Sequence, residues 1–186
     1  MQIGLIILII IAVLILFWVG IYNSLVKARN GVEGALSQID VQLQRRNDLI
    51  PNLVETVKGY AQHETQTLEA VVQARQQMVN ISDNVSPERV NDQSNHLSSV
   101  LSRLFAVAEQ YPDLKANSNF QQLQSSLEET EDTIALSRQL YNSSVQTYNQ
   151  KIQMVPNNFV ASLHGFHEKG YLEAPNESKE VPKVEF

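Results

Sequence analysis

Hydrophobic residues fall along this chain in two patterns, one unbroken and one periodic. The unbroken one runs from Ile3 to Tyr22, twenty residues without a charged side chain; the first charge is Lys27. At a rise of about 1.5 Å per residue, a helix of that length covers roughly 30 Å, the thickness of a bilayer's hydrocarbon core. Ile3, Leu5, Ile10 and Leu14 represent its apolar body, and Phe17, Trp18 and Tyr22 close it with rings suited to the headgroup boundary. A cleaved signal peptide fits poorly. No basic side chain precedes the stretch, it exceeds the usual 7–15 residues or so, and Val19-Gly20-Ile21-Tyr22 offers no small-residue cleavage site.

After Lys27 the pattern becomes periodic. Val32, Leu36, Ile39 and Leu43 advance in steps of four and three, a single stripe along a helix. Leu53, Val57 and Tyr60, then Leu68, Val71 and Met78, form a second run; Val90, Leu97, Leu101, Leu104, Ala108 and Tyr111 form a third. The longest is Phe120, Leu123, Leu127, Ile134, Tyr141, Val145, Tyr148, Ile152 and Val155. This seven-residue rhythm keeps a seam facing neighbouring helices at shallow angles, as in a coiled coil. The predicted fold is therefore all-α: an N-terminal transmembrane helix followed by an elongated antiparallel helical bundle.

Proline and polar clusters mark the breaks. Asn80 to Ser86 is a polar linker, and Ser86-Pro87 suits an N-cap followed by a first-turn proline. Tyr111-Pro112 and Val155-Pro156 each end a helix, since proline disfavours helical geometry in the residue before it. Asn117 or Ser118 caps the last long helix. Pro51 leaves two readings. Arg45, Arg46, Asn47 and Asp48 have the chemistry of a helix end followed by a new start, giving four helices. The apolar rhythm nevertheless passes through Leu43, Arg46, Ile50 and Leu53, giving three helices with a long, kinked first one. A proline inside a helix costs about 3 kcal/mol unless packing compensates, which favours the turn. The resulting division is an anchor over 1–22, a bundle over 23–156, a short amphipathic segment over 157–170 carrying Phe159, Val160, Leu163 and Phe166, and a disordered tail over 171–186.

Composition narrows the function. The net charge of -6 is spread along the chain, without the basic patch that nucleic acid requires. The absence of cysteine removes thiol nucleophiles, disulfides and lipidation at cysteine. No G-x-S-x-G or phosphate loop occurs. His63-Glu64 lacks the second histidine of H-E-x-x-H, because position 67 is Thr, and His164 and His167 have only Glu168 nearby. Glu-x-x-His pairs for a di-iron bundle are missing as well. No catalytic, cofactor or metal residues are expected. Lys27 and Arg29 directly follow the span, so the positive-inside bias puts the soluble part in the cytoplasm.

Two polar groups stand out. Asp40, Arg45, Arg46, Asp48 and Asp113 are expected to form a structural network. Arg46 continues an apolar stripe, so its guanidinium needs a carboxylate, for which Asp40, Asp48, Glu55 and Asp113 are candidates. Glu128, Glu129, Glu131 and Asp132 form an acidic run, expected as a solvated face or as an assembly contact for exposed arginines such as Arg75, Arg89 and Arg103. Tyr141-Asn142 and Tyr148-Asn149, seven residues apart, suit core rings with polar groups satisfied at the edge.

The stretches YNSSVQTYN from Tyr141 to Asn149, SQIDVQLQRRNDLIPNLVETVKGYAQHE from Ser37 to Glu64 and LSRLFAVAEQYPDLKANSNFQQLQ from Leu101 to Gln124 resemble the LemA family, as does YNSLVKARN from Tyr22 to Asn30. Ala35-Leu36 departs from the family's frequent Ala-Trp. The resemblance covers nearly the whole chain to about Tyr171. It implies a bacterial membrane protein with an N-terminal membrane helix and a helical bundle, and it carries no catalytic residue set. The expectation is a non-enzymatic scaffold of the bacterial inner membrane, single-pass, with the lipid bilayer and further copies of itself as partners and no cofactor. The alternative is an adaptor or accessory subunit for another membrane protein, such as a protease or signalling receptor.

Overall fold

A computed structural model describes residues 2–81 and 85–173. Residues 82–84 of the expected linker and 174–186 of the expected tail lie outside that description. Among the described residues every regular element is a helix: α1 (Gln2–Lys58), α2 (Thr65–Val79), α3 (Pro87–Ala108), α4 (Pro112–Lys115), α5 (Ser118–Gln153) and α6 (Asn157–Leu163). The chain divides into two compact units. Among the described residues the first comprises 2–37 and 139–171, the second 38–81, 85–138 and 172–173.

The turn expected at Pro51 is absent, because α1 continues through that proline. The reason is a replaced hydrogen bond. A proline at 51 has no N–H for the carbonyl of residue 47, four positions back. Arg75 on α2 donates to that carbonyl instead, with Nε 2.9 Å from Asn47 O. Apolar packing supplies the rest: Leu43, Arg46, Ile50, Leu53 and Val57 form one buried stripe on both sides of Pro51. The break comes later, at Gly59–His63, where Ala61 N still bonds to Val57 O before the helical register is lost. The run from Leu53 to Met78 therefore belongs to two helices, and its irregular step from Tyr60 to Leu68 is where they separate.

Within the second unit, α2 packs on α3. Leu68, Val71, Ala74 and Met78 of α2 are buried, as are Leu97, Val100, Leu101 and Leu104 of α3. Pro87 opens α3 with Ser86 extended before it, although the Ser86 side chain makes no capping bond. Asn117 caps α5 through its Oδ1, which accepts from Phe120 N at 3.0 Å. Leu127, Thr130, Ile134 and Arg138 continue the α5 seam inward.

Within the first unit, α1 changes character after Tyr22. The residues before it form no buried face, whereas Leu25, Val32 and Ala35 begin the buried stripe. On α5, Tyr141, Val145, Tyr148 and Ile152 are buried. Lys151 Nζ donates to Ser24 Oγ at 3.2 Å, which fixes the end of α5 beside the residue just past the apolar span. The segment after α6 has no regular structure but is bound along α5. Tyr148 donates to His167 O (2.9 Å) and Tyr141 to Gly170 O (3.2 Å). The Asn149 amide takes both bonds of Lys169, donating to its carbonyl at 2.9 Å and accepting from its N–H at 3.0 Å. In the second unit Leu172 is buried, and Asn91 Nδ2 donates to Glu173 O at 2.9 Å. The start of the segment expected to be disordered is thus held in place through Glu173.

Candidate functional site: the apolar span and the buried arginines

The span is one end of α1. Ile3, Leu5, Ile10, Leu14 and Phe17 are all exposed, and no part of the stretch is buried. This is the only described helix long and apolar enough to cross a membrane. Trp18 and Tyr22 are less exposed than the apolar residues from Ile3 to Phe17, because the chain after α6 reaches them. Trp18 Nε1 donates to His164 Nε2 at 3.3 Å. The Tyr22 ring meets the rings of His164 and Phe166 edge-on, with centroids 4.8 and 5.8 Å apart. The Arg29 guanidinium lies 5.3 Å above the Phe166 ring. Sequence spacing did not signal this cluster, because 137 or more residues separate its two halves.

The second feature lies in the second unit. Arg46 is 1% exposed and donates from Nη1 to Glu131 Oε2 at 2.5 Å. Its partner is thus the Glu131 carboxylate on α5, not Asp40, Asp48, Glu55 or Asp113. Arg46 also donates to the hydroxyls of Ser98 (2.9 Å) and Ser94 (2.7 Å) and to Ser94 O (3.2 Å). Arg138 adds a second guanidinium, 2.9 Å from Ser94 Oγ. Ser98 Oγ stands 3.0 Å from both Glu131 oxygens. Two cations therefore share the Ser94 hydroxyl, while Arg46 alone bonds the Glu131 carboxylate and Ser98.

Burial pushes the Arg46 guanidinium below its ordinary range, and Glu131 opposes that shift by charge and by hydrogen bond. Arg138 is lowered by burial, then supported by Glu131 and opposed by the like charge of Arg46. Both remain cations, since a guanidinium does not lose its proton in proteins. Arg138, Ser94 and Ser98 escaped notice in the sequence. Arg138 carried the same signal as Arg46, an arginine on a heptad seam four residues after Ile134 and three before Tyr141.

The other expected residues are placed elsewhere. Arg45 pairs with Glu129 at 3.1 Å across a solvated surface. Asp48 accepts from Gln44 on its own helix, and Asp113 lies exposed in α4. Asp40 is exposed, with its carboxyl raised by partial desolvation. Glu128 accepts from Gln124 at 3.1 Å, and Asp132 is exposed. Glu129 and Glu131 thus bind arginines of their own chain, and Arg75, expected as an exposed assembly contact, is committed to Asn47 O.

This arrangement links side chains of α1, α3 and α5 within the second unit. Ser94 and Ser98 face cations and a carboxylate already paired, with no histidine among their hydrogen-bond partners. Among the described residues no group of three or more His, Asp or Glu side chains is placed to hold a metal ion.

An all-α chain with a long N-terminal apolar helix and a buried polar lock defines a helical, membrane-associated class of protein. The chain belongs to the LemA family, whose model matches residues 35–186. It is 31% identical over 145 residues to Protein LemA of Metamycoplasma hominis, covering 77% of this chain and 65% of that protein. It is also similar to Magnetosome protein MamQ 2 of Paramagnetospirillum magneticum, 28% identical over 175 residues and covering 82% of this chain and 64% of the relative. Magnetosome protein MamQ of Magnetospirillum gryphiswaldense is 25% identical over 174 residues, with coverage of 81% and 64%. The chain therefore spans just under two thirds of the length of these relatives.

Proposed function

We propose that this protein is a non-enzymatic scaffold held in the bacterial cell membrane by residues 1–22, whose helical region assembles with further copies of itself. The observation that carries the reading is the uncharged first stretch of α1, exposed from Ile3 to Phe17 and continuous with a helix that becomes a packed stripe from Leu25 onward. An exposed apolar surface of that size is costly in water and stable in hydrocarbon. Confinement to a membrane raises the effective concentration of the helical region, so weak contacts between copies suffice for assembly. Exposed Val41, Val72, Val79 and Leu136 supply apolar contact surface in the second unit, with Glu128 and Asp132 as its acidic edge. Lys27 and Arg29 favour the cytoplasmic side for the helical region.

The test is the particle mass of the full chain in nanodiscs or mild detergent, beside a chain starting at Tyr22. A large homogeneous particle that falls to monomers without the span supports assembly on the membrane. Monomers in both preparations would overturn self-assembly and point to a different membrane protein as partner. Release of the full chain from membranes by alkaline carbonate would overturn the anchor itself.

A further inference from the structure

The turn between α5 and α6, together with α6, carries an apolar surface that the fold does not cover. Val160, Ala161 and Phe166 point inward and are buried. Met154, Val155, Phe159 and Leu163 point outward, at 58, 74, 63 and 72% exposure. Phe159 and Leu163 lie four apart and share one helix face. The sequence around them is also unusual: from Ile152 to His167 there is no Asp, Glu, Lys or Arg, in a chain where such residues make up 18%.

The depth of this surface is set within the first unit by two contacts. Lys151 on Ser24 places the end of α5 just past the span, and His164 on Trp18 places the end of α6 six residues further toward the N-terminus. At about 1.5 Å per residue the chain dips roughly 9 Å between them, to the level of Trp18 and Tyr22. Gly165 makes the return, with φ of 69° and Phe166 N bonded to Ala161 O at 3.0 Å, a left-handed helix end that favours glycine. Met154 to Leu163 is therefore held beside the rings that mark the headgroup boundary.

We propose that Met154–Leu163 is a second membrane contact, lying in the interface of the same bilayer the span crosses, with Met154, Val155, Phe159 and Leu163 among the upper acyl chains. An apolar face with no charged neighbours, fixed at headgroup depth, has the chemistry of an interfacial helix, which buries its apolar side about 5–10 Å into the boundary. Lys151 precedes the charge-free segment, held on Ser24, and Glu168 and Lys169 follow it, so the charges resume only at its two ends. The inference rests on the anchored reading, and it makes the base of the helical region part of the membrane surface.

The natural chain has no cysteine, so single-cysteine variants report single sites. An environment-sensitive fluorophore is attached to Phe159→Cys or Leu163→Cys in the full chain, reconstituted in nanodiscs with or without acyl-brominated phospholipid. Ser143→Cys, exposed on α5, is the water control, and Leu14→Cys is the control within the span. The expected result is blue-shifted emission at 159 and 163 and about twofold stronger bromine quenching than at 143. Emission at 159 and 163 matching that at 143, with the Leu14 probe quenched, overturns the interfacial contact and leaves the anchor standing. Blue-shifted emission without bromine quenching shows that protein, such as a second copy, covers the face, and overturns the proposal too. An unquenched probe at 14 overturns both readings.

Discussion

The two units solve the same packing problem with different chemistry. In each, α5 presents large polar side chains at seam positions that its rhythm turns inward. In the second unit these are Arg138, joined to Arg46 through the Ser94 hydroxyl, and Glu131, which pairs with Arg46, in one charged network. In the first unit they are Tyr141, Tyr148 and Asn149, which hold the backbone of residues 167–170 with neutral hydrogen bonds. The charge balance differs as well. Among the described residues the first unit carries 4 basic and 2 acidic side chains, the second 8 and 14. The unit that contains the span is thus slightly basic, with its buried polar positions uncharged, whereas the acidic unit buries ions. A neutral clamp costs little if one bond is lost. A charged network is costly to break halfway, because the surviving ion stays in low dielectric.

The sharpest test of this contrast is Glu131→Gln. It leaves Arg46 and Arg138 buried without a carboxylate and is expected to cost about 2–3 kcal/mol. This falls below the roughly 3–5 of a fully buried pair, because the Glu131 side chain is 38% exposed. Thermal unfolding of the full chain in detergent measures it. Arg46→Met should cost less, because the freed carboxylate can rehydrate and still faces Arg138. Equal losses for the two variants would break the argument that stranded cations dominate.

Asn149→Ala in the first unit removes both bonds to Lys169 and is expected to cost about 1–2 kcal/mol. Its effect should be local: faster amide exchange at residue 169 and its neighbours, with little change at Leu97 or Leu104. Uniform acceleration would show that the neutral clamp supports the whole fold, as the charged network does.

Arg75→Ala frees the Asn47 carbonyl at the Pro51 gap, with an expected loss of about 1 kcal/mol. Arg75→Lys should rescue it only in part, because the bond is made by Nε. Full stability in Arg75→Ala would remove Arg75 from the account of why α1 survives its proline.

The smallest effect is a pH dependence. Tyr111 donates to Glu64 at 3.0 Å, and this bond, then desolvation, raise the phenol above its ordinary value near 10. A group raised on folding contributes stability that is fully present below its unfolded pKa and lost as pH rises through the folded one. The natural chain should therefore exceed Tyr111→Phe slightly at neutral pH, with the difference closing only in alkali above the ordinary tyrosine pKa. Parallel melting curves against pH would check the sign, and a difference that persists in strong alkali would refute it.

Much of the fold was legible because it rests on local rules. The span shows as an absence of charge, and Val32, Ile39 and Leu43 show as a stripe. Arg46 on that stripe announced a buried cation that needed a partner. The partner was not legible, since Glu131 looked like one member of a solvated acidic run. Nothing local distinguishes it from Glu129, which meets Arg45 in solvent. The segment from His164 to Glu173 was equally opaque. Its residues have no periodicity, and its order comes from side chains of α5 and α3 bonding to its backbone.

By itself the sequence determined the uncharged apolar span, the helical class and the rhythm of the seams, because charge, hydropathy and helix period act over a few neighbouring residues. Tertiary structure alone decided three things: that α1 passes through Pro51, which carboxylate neutralises Arg46, and where the chain after α6 is held. Each depends on a donor or acceptor that arrives from a distant helix. Arg75 replaces the N–H that Pro51 lacks, Glu131 answers Arg46, and Trp18 meets His164. These are pairings in space, and local sequence chemistry states the need for a partner without naming it.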